Sequence, residues 1–233
     1  MFDKRPIGCA PPGDLDQHPL TDVMESASNC LLKVDGGVFC WGDNLSGQLG
    51  VGNMPLEVCS WPDDPSATGY PCTSRPLRVP GLPRARHLSG VRRTCAVLED
   101  RTVRCWGDWI SGALDEQTYR ALQPVEGLDQ IVQIAVDFRS GCALRADGQV
   151  LCFGDNTYGE IGNGATVSSE RAVEVGGLSD ATEIAVGNGH ACAVRRDRSL
   201  WCWGDNQYGQ LGDGTLETRL RPVQTLPPGS VAR

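Results

Sequence analysis

The residues with the clearest chemical potential in this sequence are its 11 cysteines, in a chain of 233 residues. A cysteine thiolate can act as a nucleophile or a metal ligand, and two thiols can join as a disulfide. Ten of the cysteines fall into five pairs, and Cys9 is left over. Four pairs have partners ten positions apart and the fifth brackets an insertion: Cys30 and Cys40, Cys95 and Cys105, Cys142 and Cys152, Cys192 and Cys202, and Cys59 and Cys72.

Three interpretations of these pairs are open: disulfides, reduced cysteines buried as small apolar side chains, and zinc ligands. Zinc is the weakest, because nine intervening residues are too many for a zinc knuckle and only three histidines are present. One spacing repeated four times favours disulfides, which predict an oxidising compartment. Cys9 is predicted to be unpaired, or paired with a group outside this chain.

Two other patterns resemble ligand sites but fail on their context. The stretches GQLGVG, GEIGNG and GQLGDG reverse the spacing of the dinucleotide fingerprint, and no helical pattern follows them. A single aspartate per motif cannot supply the six or so oxygens that calcium takes. The sequence therefore predicts no cofactor and no metal. It predicts instead that the glycines form turns and that these aspartates cap them: Asp43, Asp108, Asp155 and Asp205.

The composition excludes further classes of function. The net charge of −8 argues against nucleic acid, because phosphate binding requires a basic surface. No stretch approaches the roughly 18 apolar residues of a spanning helix, and the first 25 residues lack the apolar core of a signal peptide. We therefore expect no membrane insertion, and any export signal would lie outside this sequence.

The elements that must position the cysteines are repeated hairpins. The pentapeptide CWGDN begins at Cys40 and recurs as CWGDW, CFGDN and CWGDN after 65, 47 and 50 residues. Before each copy, two alternating runs flank a polar turn, which is typical of a β-hairpin. In an antiparallel hairpin, the residue numbers of each opposed pair add up to the same total. With the register centred on the turn, the two cysteines of each repeat lie opposite one another. The turns are centred on Asp35, Asp100, Asp147 and Asp197.

Both faces of these hairpins are mostly apolar, as in small sheets that stack face to face. That is the environment of a propeller blade. The aromatic residue of each motif is predicted to pack between blades, because it recurs once per repeat at a fixed position: Trp41, Trp106, Phe153 and Trp203.

Repeats of about 50 residues with this motif resemble the regulator of chromosome condensation repeat family, over residues 23 to 223. The resemblance implies an all-β fold, a β-propeller of four-stranded blades, usually seven. Only four motifs are present, so we expect a partial or open arc of about four blades. Its exposed sheet edges would favour self-association.

The motif positions predict the following organisation. An incomplete segment, 1–22, precedes four repeats, and an insertion occupies 53–76 of the first. The sequence RLRPVQTLPPGSVAR is interpreted as the start of a truncated fifth repeat. The repeats are placed at about 23–76, 77–126, 127–175 and 176–223, with the truncated unit at 224–233.

Candidate contact residues lie in the loop before the first cysteine of each repeat, which differs between repeats as SASN, VRRT, FRSG and NGHA. In propellers of the family that this sequence resembles, that segment lies near the central funnel. Arginine and aromatic residues are enriched in binding hot spots, although ordinary solvated loop residues are an equal alternative. The candidates are Arg92, Arg93, Phe138, Arg139, Asn188 and His190, with Trp61 in the insertion.

Catalysis has little support in the sequence, since no nucleophile elbow, paired carboxylates or metal cluster is evident. The sequence predicts a non-enzymatic scaffold that binds another protein, in an extracellular or cell-surface location. The alternative is a guanine nucleotide exchange factor for a small GTPase, an activity that the resemblance also implies. Free thiols would favour the exchange factor, and disulfides would favour the extracellular binder.

Overall fold

The structure is a computed structural model, and the residues it describes are 21–52, 54–60, 69–91, 93–107 and 122–225. These residues form strands, turns and irregular segments, without a helix. The strands make four antiparallel sheets, one for each repeat, which we call blades one to four. The predicted all-β fold of four blades is therefore confirmed.

Blade one has five strands in the order β1-β2-β3-β5-β4 and the other blades have four strands in sequence order. In blade one the strands are β1 (Val23–Ala27), β2 (Cys30–Lys33), β3 (Val38–Asp43), β4 (Glu57–Cys59) and β5 (Tyr70–Arg78). Blade two contains β6 (Ala85–Gly90), β7 (Arg93–Leu98), β8 (Val103–Gly107) and β9 (Gln123–Pro124). Blade three contains β10 (Ile131–Val136), β11 (Ser140–Arg145), β12 (Val150–Gly154) and β13 (Ser169–Glu174). Blade four contains β14 (Ala181–Gly187), β15 (His190–Arg195), β16 (Leu200–Gly204) and β17 (Arg219–Gln224).

The predicted hairpin register is confirmed in all four blades. Cys30 lies opposite Cys40, and the same pairing recurs in the second, third and fourth hairpins. A turn aspartate closes each hairpin by accepting a backbone amide two residues on, as Asp147 does from Gln149 at 3.0 Å. This local bond explains why the turn is polar while both flanking strands are apolar.

The blades join in series through three apolar clusters, one at each junction. At the third junction, Ile161 and Val150 of blade three pack with Ile184 and Trp203 of blade four. The first strands of successive blades contact one another, β1 with β6, β6 with β10, and β10 with β14. Each sheet is thus covered by its neighbour, which explains the apolar character of both its faces.

The C-terminal segment differs from the sequence interpretation. Arg219–Gln224 forms β17, which pairs with β16 and completes blade four, so RLRPVQ does not begin a fifth repeat. Its residues are half-buried or exposed, as in a strand at the outer edge of a sheet. The boundary drawn at 76–77 also falls inside β5, which extends to Arg78. Part of the insertion forms an added hairpin of β4 and β5.

Candidate functional site

The pentapeptide motif holds the variable loop of its own blade. The amide of Asp155 donates to the carbonyl of Arg139 at 2.9 Å, and Asp205 donates to Gly189 at 2.8 Å. The motif glycine allows this approach, because a Cβ on Gly154 would lie 2.3 Å from the Arg139 carbonyl oxygen. These glycines therefore place the variable loops at one end of the blades, beside the motif.

The motif asparagine organises the glycine-rich loop that follows it. Asn156 is fully buried, accepts the amide of Ile161 at 2.9 Å, and donates to the carbonyls of Ala165 and Val167. Asn206 makes the corresponding bonds in blade four, and Asn44 accepts the amide of Leu49 in blade one. A buried amide with its donors and acceptors satisfied fixes one loop conformation.

The motif tryptophan fixes that loop against the next blade. Trp106 Nε1 donates to the carbonyl of Gln48 at 3.0 Å, and Trp203 Nε1 donates to that of Glu160 at 2.7 Å. Both indoles are almost completely buried, and so is the Phe153 ring. The predicted packing of these aromatic residues between blades is confirmed for these three, while Trp41 of blade one is only half-buried.

A cleft of about 280 Å³ opens at this end of the molecule, where the loops of blades one, two and three meet. Three exposed apolar side chains contribute to it: Leu45, Val91 and Phe138. The other lining residues are mainly polar: Ser28, Asn29, Cys30, Asp43, Ser46, Gln48 and Thr94. Apolar side chains combined with polar groups that can fix the orientation of a ligand are typical of a binding site.

Asp43 gives the cleft a negative charge, and the lining residues include no arginine or lysine. Its carboxylate accepts a hydrogen bond from the Gln48 side chain, whose oxygen accepts the Ser46 amide at 2.8 Å. These bonds hold the carboxylate in place and leave it available to a cationic group. The cleft can therefore pair an apolar side chain with a positive charge on a partner.

Blade three differs at the position of Gln48, where it has Glu160. Burial raises the pKa of the Glu160 carboxyl, and the nearby carboxylates of Asp155 and Asp205 raise it further. Burial also acts to raise the pKa of Asp155, but hydrogen bonds from Thr157, Asn156 and Ser168 outweigh it and hold that pKa below its usual range. The two carboxyls thus differ in the ease with which they take up a proton.

Of the predicted contact residues that the structure describes, Phe138 alone lines the cleft. The exposed Arg139 side chain lies 3.7 Å from Asp155. Asn188 and His190 lie on blade four, where the Asn188 carbonyl is 3.2 Å from His190 Nδ1. Arg92 and Trp61 lie outside the described residues.

Arg93 is part of the interior and not of the surface. It is only 1% exposed, and its guanidinium lies over the Phe153 ring at 6.0 Å from the centroid. The arginine is therefore placed to join blade two to blade three, which the polar sequence VRRT did not suggest. It is the first residue of β7, a strand in which every residue is buried.

Most of the cleft residues were not identified from the sequence. Leu45 and Ser46 follow the pentapeptide and were not singled out, and Gln48 was noted only as part of the glycine-rich stretch that was predicted to form turns. The recurrence of Asn44, Asn156 and Asn206 at one motif position was a usable signal for the buried amide, since chance would not repeat it. Val91 and Phe138 are the first residues of the variable loops VRRT and FRSG, which the resemblance placed near the central funnel, but Val91 was not named as a candidate contact residue.

The five predicted cysteine pairs all lie at disulfide-bonding distance. The four hairpin pairs have Cα atoms 4.0 or 4.1 Å apart, and those of Cys59 and Cys72 are 5.9 Å apart. The hairpin pairs lie between opposed residues of adjacent strands, and the fifth closes the β4–β5 hairpin. Cys9 lies outside the described residues.

Within the part of the chain that the structure describes, no three histidine, cysteine or acidic side chains are grouped as metal ligands. The same residues include no helix with the length and apolarity needed to cross a membrane.

Two solved structures share this architecture. Human WBSCR16 matches 91% of this chain and 56% of its own, with a TM-score of 0.70 and 21% identity. Yeast RCC1 (Prp20), solved bound to Kap60, matches 88% of this chain and 48% of its own, with a TM-score of 0.67 and 22% identity. This chain thus spans about half the length of each.

Curated relatives also match part of the chain. The human E3 ubiquitin-protein ligase HERC2 is 31% identical over 150 residues, which are 62% of this chain and 3% of HERC2. The Arabidopsis thaliana ultraviolet-B receptor UVR8 is 31% identical over 120 residues, 44% of this chain and 23% of UVR8. The chain spans only a small part of either relative.

The models of the regulator of chromosome condensation (RCC1) repeat match residues 35–96, 131–160, 147–194, 181–210 and 197–232. Together the matched segments cover more than half of the chain, including the hairpins of blades three and four. The repeats, their blades and these matches lead to one conclusion: this chain belongs to the regulator of chromosome condensation (RCC1) repeat family.

Proposed function

We propose that this protein is a non-enzymatic scaffold that binds another protein through the cleft at the loop end of blades one to three. The observation that carries the proposal is the group of exposed apolar side chains, Leu45, Val91 and Phe138, around the charged Asp43. The RCC1-type fold supports a scaffold for protein interactions, and its variable loops are held on a rigid framework.

The chemistry of the cleft selects the partner. Its volume of about 280 Å³ accommodates one or two side chains and not a folded domain. An apolar side chain would contact Leu45 and Phe138, while a lysine or arginine beside it would pair with Asp43. The net charge of −8 would also attract a basic segment over a distance. We therefore propose that the partner presents a basic segment with an apolar anchor.

A library of displayed linear peptides tests this proposal. Selection on the folded protein should enrich peptides with one large apolar residue next to lysine or arginine. Phe138→Asp should weaken their binding by about tenfold or more, because it removes an anchor contact and adds a charge. The control is Val167→Asp, since Val167 is 75% exposed and does not line the cleft. Equal binding to both variants, or no enrichment of such peptides, would contradict the proposal.

We further propose that the protein works in an oxidising compartment, at the cell surface or outside the cell. The support is the placement of ten cysteines in five pairs at bonding distance. Protein from an oxidising host should show five disulfides by intact mass, with and without reduction after alkylation. Ten or eleven alkylated thiols would refute the oxidising location.

The alternative function is nucleotide exchange on a small GTPase. Yeast Prp20, one of the similar folds, has described binding properties to Gsp1p and histones. The added β4–β5 hairpin is the segment of this chain that could contact such a partner, and Val58 on it is 71% exposed. The two functions separate in one assay: the scaffold leaves the release of labelled GDP from small GTPases unchanged, whereas an exchange factor accelerates it.

A further inference from the structure

The first and last blades present complementary halves of the contacts that join the interior blades. One recurring contact runs from a side chain on the inner strand of a blade to the backbone of the next blade. The position is equivalent in each sheet by its strand register. The bonds are Glu25 Oε2 with Leu88 N (2.7 Å), His87 Nε2 with Ile134 O (2.9 Å), and Gln133 with both Ile184 N and Ile184 O (3.0 Å each).

The outer side of blade four and the outer side of blade one each carry only one of the two groups that form this contact. The equivalent residue of blade four is Glu183, opposite Val194, and it is exposed. The residue of blade one that corresponds to Leu88 is Ser26, opposite Leu31, and it is exposed as well. Glu183 can therefore accept the Ser26 amide of another molecule, just as Glu25 accepts that of Leu88.

The indole contact is divided in the same way. Trp106 and Trp203 donate to carbonyls of the preceding blade, but Trp41 Nε1 donates no hydrogen bond to the residues that the structure describes. The carbonyl that corresponds to those acceptors on blade four is Gln210, which accepts none within the described chain. The donor lies at one end of the series and its acceptor at the other.

The apolar surface shows the same division. Leu144 and Val150 of blade three are 3% and 0% exposed, because blade four covers them. Their equivalents on blade four are Val194, which is half-buried, and Leu200, which is 40% exposed. On blade one, Val23 is 45% exposed, although its blade-four equivalent, Ala181, is buried. We name two surfaces: the blade-four face (Glu183, Val194, Leu200 and Gln210) and the blade-one face (Val23, Ser26 and Trp41).

We propose that two copies of this chain associate head to tail, with the blade-four face of each copy against the blade-one face of the other. The contact would repeat the three interior junctions in its hydrogen bonds and apolar packing. Two copies supply eight blades, which lies within the roughly four to eight blades of known propellers, so the pair can close as a ring with twofold symmetry. The proposal rests on the junction geometry and is independent of the binding function proposed above.

Sedimentation of the whole 233-residue chain, with its disulfides formed, tests the association. We expect a dimer of twice 25.0 kDa that dissociates on dilution. Leu200→Asp and Trp41→Asp should each raise the dissociation constant about tenfold or more, since each places a charge in an apolar contact. Val167→Asp, an exposed position in neither face, should leave it unchanged.

Mixing the two variants tests the head-to-tail geometry. Leu200→Asp keeps an intact blade-one face, and Trp41→Asp keeps an intact blade-four face, so their mixture regains one undamaged contact and should form a mixed dimer. Contact between two blade-one faces would leave Leu200→Asp fully dimeric and would overturn the proposal. A monomeric wild-type chain would also overturn it. Circular dichroism of each variant shows that it is folded, and Glu183→Arg provides a second substitution on the blade-four face should Leu200→Asp not fold.

Discussion

Blades three and four have the same motif, hairpin register and loop bonds, but they differ in what covers them. Blade three is packed on both sides, whereas the outer side of blade four leaves Leu200 40% exposed. Blade three also has Glu160 where blade four has Gln210, and Gln210 donates to Asp205 at 3.0 Å. The comparison shows that the hairpin is specified within each repeat, while burial is determined by the neighbouring blade.

The junction between the two blades should be most sensitive at Trp203. Trp203→Ala removes a fully buried indole and leaves a cavity, so we expect the free energy of unfolding to fall by about 3 to 5 kcal/mol in urea denaturation. Trp203→Phe imitates Phe153 of blade three and should cost about 1 kcal/mol for the lost bond to Glu160. Tyr208→Ala is the control, because Tyr208 is 89% exposed. A loss at Trp203 no larger than at Tyr208 would contradict this junction.

Variants of the cysteine pairs in blades three and four distinguish the stability that a disulfide contributes from the stability that burial of its cysteines contributes. Both hairpin pairs span ten residues, so replacing either pair with alanine should lower the free energy of unfolding by about 3 kcal/mol. The blade-three pair should lose slightly more, because Cys142 is buried and Cys192 is half-exposed. Thermal and urea unfolding of the two double variants provide the measurement. No loss in either variant would show that the wild-type pairs are reduced.

The cost of replacing a loop glycine with alanine depends on whether a neighbouring blade packs against that loop. Gly162 and Gly212 have similar positive φ angles of 72° and 64°, so alanine costs each about 1 to 2 kcal/mol in backbone strain. A Cβ on Gly162 would also lie 2.8 Å from Trp203, whereas one on Gly212 would meet nothing closer than 3.8 Å. Unfolding of the monomer in urea should therefore show a larger loss for Gly162→Ala. Equal losses would mean that the two loops have equivalent surroundings.

Glu160 gives the smallest effect and one that depends on pH. The pKa of Glu160 is raised in the folded protein, so folding favours its protonated form. Ionisation of the Glu160 carboxyl destabilises the folded protein. This effect is absent below the ordinary pKa of glutamate and grows as the pH rises through the raised pKa of Glu160. Glu160→Gln should therefore stabilise the protein by about 1 kcal/mol at pH 7 and by almost nothing at pH 4.

Urea unfolding at several pH values between these limits measures the difference between Glu160→Gln and the wild type. The matched control is Glu174→Gln in the same blade, because Glu174 is exposed. A gain at pH 7 that persists unchanged at pH 4 would contradict the assigned role of the carboxyl.

Most of the fold could be predicted from the sequence because four repeats within one chain show the same pattern of cysteines and turn residues. The position of each cysteine opposite its partner followed from the symmetric spacing around Asp35 and its equivalents. The fourth strand of blade four was missed, because RLRPVQ has no cysteine or aromatic marker and forms a strand only against β16.

The candidate site was much less predictable. Phe138 was identified by residue type, but its proximity to Leu45 depends on how three blades are arranged, which no local pattern encodes. Arg93 was predicted to contact a partner because it lies in a variable loop and arginine is enriched in binding hot spots, but its place over Phe153 depends on the adjacent blade. Contacts between repeats decide both cases, whereas the sequence pattern reports contacts within a repeat.

The inner-strand bonds of Glu25, His87 and Gln133 link each blade only to the next. The stability of such a series is a sum of blade terms and nearest-neighbour terms, as in a one-dimensional array. A gene encoding this kind of chain can gain or lose a whole repeat by recombination and still leave the remaining junctions intact. Because each junction joins only two neighbouring blades, the number of blades can change during evolution by one repeat at a time.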